Sequence, residues 1–134
     1  MLTQSQRQAI FQQALASYYT PAFPRRRDEC PLYAACTSEA TGPLFMSMGV
    51  LCELVHQAHP DVVVKHSYKP PQNPFTYYSY RPVGHPEESG TLDIPQYVLL
   101  EVLGIPKSVI NLLYDHEQVN NIVGVKSVLR SLCQ

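Results

Sequence analysis

Cys52, His56 and His59 are the residues whose types and spacing most directly suggest chemistry, because on a helix they share one face and could converge on a zinc ion. Cys30 and Cys36 precede them. The spacing is not that of a zinc finger, and Cys52 also belongs to an apolar stripe of Leu44, Met48, Leu51 and Val55. Cys36 and Cys52 are therefore expected as small core residues, with His56 and His59 at a helix C-terminus, where positive charge is favoured. No metal ion and no cofactor are expected.

General acid–base chemistry has His56, His59, His66, His85 and His116 to draw on, with Asp61, Asp93, Asp115, Glu87 and Glu88 as orienting carboxylates. Asp115, His116 and Glu117 are contiguous, which does not by itself form a triad. The chain contains no GxSxG, P-loop, GxGxxG or HExxH signature. A small enzyme with a histidine/carboxylate site stands as an alternative, and the expectation leans towards a non-catalytic protein.

A second alternative comes from residues 96–113, QYVLLEVLGIPKSVINLL. This stretch resembles the helix-turn-helix motif of DNA-binding proteins. Leu99 and Leu103 would anchor its first helix, Gly104 would take the turn, Ile105 would plug the core, and Ile110 and Leu113 would hold the second helix. Leu100 stands where such motifs need a small residue, and Lys107, Ser108 and Asn111 are the only evident contacts on the reading helix. Phosphate binding needs more cations than this. Arg25, Arg26 and Arg27 form a separate basic run, adjoined by Asp28 and Glu29.

The strongest local signal is YKPPQNPFTYYSYRP, from Tyr68 to Pro82. Along a strand Phe75, Tyr77 and Ser79 would face one way and Thr76, Tyr78 and Tyr80 the other. Tyrosine offers a large rigid contact area with a polar end. The expected binding surface is thus Tyr68, Pro70, Pro71, Pro74, Tyr78, Tyr80 and Arg81. The aromatic strand, flanked by prolines, is expected at a sheet edge, where a peptide or a second copy of the chain would pair with it.

These residues must be held by a surrounding fold. Thr3 and Gln6 form a capping-box pattern ahead of a first helix carrying Ile10, Phe11, Ala14, Leu15 and Tyr18. Residues 21–42 read as a long proline- and arginine-containing loop with one helical turn at Leu32 to Cys36. Pro43 is read as the first position of a second helix ending before Pro60. Val62 to Tyr68 and Phe75 to Arg81 read as strands. Asp93 is a plausible cap for a helix from Ile94 to Leu103, with further helices from Lys107 and from Val119 to Leu132. The expected fold is α+β: helices packed with a short two-stranded antiparallel sheet and a C-terminal cluster of short helices, in a single domain spanning 1–134.

The chain has 134 residues, 45% apolar and 16% charged, with ten basic and eleven acidic residues and a formal charge of −1. Such a balance gives no overall field for nucleic acid or anionic membrane, and little repulsion between copies. No apolar run is long enough to span a membrane, and the glutamine-rich start does not resemble a secretion signal. A cytoplasmic, reducing location is expected. Together these features point to a protein-interaction module, with a second copy of itself as a candidate partner.

Overall fold

The computed structural model describes residues 2–25, 35–86 and 94–134. Helix α1 (Gln4–Ser17) opens with the expected reciprocal cap between Thr3 and Gln6, and buries Ile10, Phe11 and Ala14. Strands β1 (Ala35–Ser38) and β2 (Gly42–Phe45) follow, then helix α2 (Ser47–Ala58), and then β3 (Val63–Tyr68) and β4 (Thr76–Pro82). The remainder is helical: α3 (Ile94–Tyr97) continues into a π-helix at Val98–Val102, followed by α4 (Lys107–Gln118) and α5 (Ile122–Leu132).

The fold is α+β, but the sheet has four antiparallel strands in the order β2-β1-β4-β3, where two were expected. The two additional strands lie where a loop and a helix start were expected. Cys36 is in β1 rather than in a helical turn, and Pro43 is in β2 rather than at a helix N-terminus. Both strands are only four residues long. They are joined by a tight turn in which Gly42 takes φ +69, a conformation that costs glycine little. Pro43 is tolerated because β2 is an edge strand, with one side of its main chain free of ladder bonds. The parts of the expected 21–42 loop at 26–34, and the Asp93 cap, lie outside the described residues.

Register assigns the faces of the sheet. Phe45, Ala35, Tyr78 and Ser67 form a cross-strand row on the face that meets the helices. Leu44, Cys36, Tyr77 and Tyr68 form the matching row on the other face. The main core joins the inner face to α1, α2, α5 and the π-helix through Ile10, Leu51, Val55, Leu99 and Leu129. A smaller cluster of Cys36, Leu44 and Tyr77, flanked by Phe75, lies on the outer face.

An ion pair locks the helical layer. Arg25 and Glu117 meet at 2.9 Å with both side chains 2% exposed. Glu117 also accepts hydrogen bonds from the Tyr18 hydroxyl at 2.6 Å and from the Ser47 N–H at 3.3 Å. The carboxylate therefore satisfies a main-chain donor at the start of α2, a helix whose N-cap, Met46, supplies no side-chain bond. Burial, followed by the nearby Glu117, pushes the Tyr18 phenol well above its usual range, so that Tyr18 remains a donor.

Candidate interaction edge

β4 is an interior strand. It pairs with β1 through Thr76, Tyr77 and Tyr78, and with β3 from Tyr77 to Pro82. This overturns its expected edge position: β1 occupies the side that an incoming strand would have used. Tyr80 is fully buried in the main core, and Tyr78 packs against that core half-buried. Arg81 is also half-buried. Of the residues expected to form the contact surface, Tyr68, Pro71 and Pro74 are exposed and Pro70 is half-buried. These four are gathered at the end of β3 and in the turn after it.

The turn is held by its own hydrogen bonds. The Asn73 N–H donates to the Pro70 carbonyl at 3.3 Å, and the Phe75 N–H donates to the Asn73 side-chain oxygen at 2.9 Å. The Asn73 amide donates to the Tyr77 hydroxyl at 3.2 Å. Gln72 takes φ 61, an uncommon conformation for its residue type. Phe75 and Tyr77 stack with ring centroids 6.3 Å apart. Proline rings and side-chain bonds together present Tyr68, Pro71 and Pro74 from a stiff support.

The open main chain belongs to β3. Among the described residues, no strand pairs with its far side. The Val83 N–H donates to the Val62 carbonyl at 2.9 Å, which makes Val62 and Val83 a hydrogen-bonded pair. Antiparallel strands alternate between bonded and non-bonded pairs. Val64, His66 and Tyr68 therefore turn their main-chain groups towards β4, while Val63, Lys65 and Ser67 turn theirs outwards. Pro82 sits opposite Val63, a non-bonded position where its missing N–H costs the β3–β4 ladder nothing.

Lysine on an edge strand commonly guards it against pairing. Here Lys65 points inwards instead. Its ammonium meets Glu53 of α2 at 2.5 Å and lies 4.5 Å from the Tyr78 ring centroid and 5.8 Å from that of Tyr80. Glu53 is itself buried, so the lysine serves as its counter-charge. Burial, followed by Glu53 and Cys52, pushes the Tyr80 phenol well above its usual range. The Tyr80 hydroxyl is buried with no hydrogen-bond partner among the described residues.

The other candidate chemistries are dispersed. The Cys52 thiol is directed at the Pro95 carbonyl, 3.8 Å away, and burial raises its pKa. His56 Nδ1 lies 2.9 Å from the Val63 carbonyl. Among the described residues no group of histidine, cysteine and acidic side chains is arranged to hold a metal ion. Cys36 is disulfide-bonded rather than a free thiol, while Cys52 and Cys133 are free.

Among the described residues, one histidine meets a carboxylate. His85 Nδ1 is 3.1 Å from Glu101 on the π-helix, and its ring lies 4.3 Å from that of Tyr97. Glu101 is exposed, and this pair ties the end of β4 to the helical layer. The helical corner at 96–113 is also present: Gly104 takes φ +68, and Leu99, Leu103, Ile105, Ile110 and Leu113 are buried. On the solvent side of α4, Lys107 donates to Gln96.

The Arg25–Glu117 lock was not anticipated from the sequence. Its signal is Glu117 itself, which continues the helical stripe of Ile110 and Leu113 into the core. Comparison with family models, with curated proteins and with solved structures finds no match. No described helix is long and apolar enough to cross a membrane.

Proposed function

We propose that this chain is a non-catalytic protein-interaction module that self-associates by adding a strand along the open side of β3. The observation that carries this reading is the outward main chain of Lys65 and Ser67, unpaired among the described residues, beside exposed Tyr68 and the stiff Pro70–Pro74 turn. Main-chain pairing would supply affinity, and Tyr68 with Pro71 and Pro74 would supply contact area. A net charge of −1 adds little repulsion between two copies. The contact thus moves from the β4 tyrosines to the neighbouring strand.

Ser67→Pro tests it. The Ser67 N–H points away from β4, so proline removes a donor that the isolated fold does not use while blocking an incoming strand. Sedimentation equilibrium of the wild type should show a monomer–dimer equilibrium, and the variant should sediment as a monomer with an unchanged circular-dichroism spectrum. A wild type that stays strictly monomeric at about 1 mM, the weak limit of specific association, would remove the proposal. So would a dimer indifferent to the proline.

A further inference from the structure

We infer that the second copy adds to β3 in one antiparallel register, with His66 facing its own symmetry mate, and that acid therefore opens the assembly. The inference rests on the self-association proposed for β3 and adds to it the alignment and a means of control.

Continuity of the sheet limits the choices. A twofold axis perpendicular to the sheet keeps both helical layers on one side, so each residue must oppose one of the same facing, which places the axis on a residue rather than between two. Axes at Lys65, His66 and Ser67 make the fullest use of this short strand. An axis at Lys65 sets that lysine opposite its own copy. An axis at Ser67 sets Lys65 opposite the second copy's Lys69. Like charges directly opposite are unfavourable.

An axis at His66 avoids both lysine pairs. Lys65 then opposes Ser67, and Val64 opposes Tyr68, an aliphatic–aromatic pair of the kind that stabilises sheets. The outward main-chain groups of Lys65 and Ser67 on each copy form the bonded pairs. His66 occupies the non-bonded position between them, where facing α-carbons approach to about 4.5 Å. The outer-face row of Leu44, Cys36, Tyr77 and Tyr68 would continue onto the second copy through Val64 and Arg81.

The same alignment brings two imidazoles together. Around each His66 on the outer face stand Ser79 directly across on β4, Tyr77 and Arg81 diagonally, and Val64 and Tyr68 along β3. The second copy would add its own His66, Val64 and Tyr68. Among the described residues, none of these neighbours is a carboxylate. Two neutral imidazoles can share a hydrogen bond across the axis, whereas two imidazoliums repel. Acid that charges both rings would therefore loosen the dimer, which should be tightest where both are neutral.

Cysteine placement tests the alignment in a Cys133→Ser background, which removes the more accessible of the two free thiols among the described residues. His66→Cys should form a disulfide-linked dimer rapidly on mild oxidation, because facing α-carbons at about 4.5 Å lie within disulfide range. Ser67→Cys should link far more slowly, its nearest counterpart being Lys65 of the other copy. Sedimentation of the wild type should show the dissociation constant rising about tenfold from pH 8 to pH 5, the scale expected for two like charges at this separation. His66→Gln should show a flat profile. A dimer that persists while His66→Cys stays unlinked, or that ignores pH, overturns the register and leaves the edge contact standing. Absence of any dimer instead overturns the edge contact itself.

Discussion

β3 and β4 are neighbours, both carry tyrosine, and they have opposite fates. Tyr80 on β4 is 0% exposed while Tyr68 on β3 is 61% exposed. Side-chain alternation along β4 suggested an aromatic ribbon with one face to spare. The structure fills both faces: Tyr78 and Tyr80 serve the main core, and Tyr77 serves the small cluster with Cys36 and Leu44. Alternation tells which residues share a face. Whether a strand can receive a partner depends on its main chain, and that is decided by what pairs on its other side. β1 closes β4 over Thr76–Tyr78, and no described strand closes β3.

The largest effect should separate these two tyrosines. Tyr80→Ala removes a fully buried ring between sheet and helices, and should cost about 3–5 kcal/mol in urea unfolding, the usual range for large aromatic truncations. Tyr68→Ala should change stability by less than about 0.5 kcal/mol, as exposed positions generally do. Equal losses at both sites would erase the distinction between a closed and an open strand.

A middle-sized effect tests the residue the two strands share. Lys65→Met keeps the stem that lies against Tyr78 and Tyr80 but leaves the Glu53 carboxylate buried without its counter-charge. Lys65 is partly exposed, which weakens the pair, so a loss of about 1–3 kcal/mol is expected. Glu53→Met combined with Lys65→Met should recover most of it, since removing both charges spares their desolvation. Full loss in the double variant would mean that Lys65 acts through its bond geometry rather than as a counter-charge.

Much of this was legible in the sequence where local signals are strong. The Thr3–Gln6 cap, the α1 stripe, the β3 run and the Gly104 corner each follow from short-range rules and are all present. β1 and β2 escaped because four-residue strands carry almost no periodicity, and because Pro43 is as acceptable at a helix start as on an edge strand. The turn glycine Gly42 was the available hint. That one omission displaced the functional reading, since without β1 the strand at Thr76–Pro82 looks like an edge. Tyr68 and the proline turn were recognisable from their composition. The open side of β3 was not, because it is a property of pairing between segments distant in the chain. Arg25 meeting Glu117 is non-local in the same way.

The smallest effect at neutral pH isolates the hydroxyl that closure of β4 leaves without a partner. Tyr80→Phe keeps the buried ring and deletes an oxygen that makes no hydrogen bond among the described residues. An unpaired buried hydroxyl is a net cost, so the variant should match the wild type within about 0.5 kcal/mol or exceed it. Raising the pH should magnify the difference. The folded protein holds the Tyr80 proton more tightly than the unfolded chain does, chiefly because burial disfavours the phenolate. The Tyr80 contribution is therefore complete below the ordinary phenol value of about 10 and is lost as pH climbs from there towards the higher folded value. Phenylalanine has no such proton to lose. Urea unfolding at neutral pH and near pH 10.5, about the range in which free phenols ionise, should show the wild type losing more stability than Tyr80→Phe. The variant should retain part of the alkaline decline through Tyr18 and Cys52, whose pKa values burial also raises. Parallel declines in the two proteins would mean that Tyr80 reaches water readily, and β4 would then be less closed than its neighbour’s exposed tyrosine makes it look.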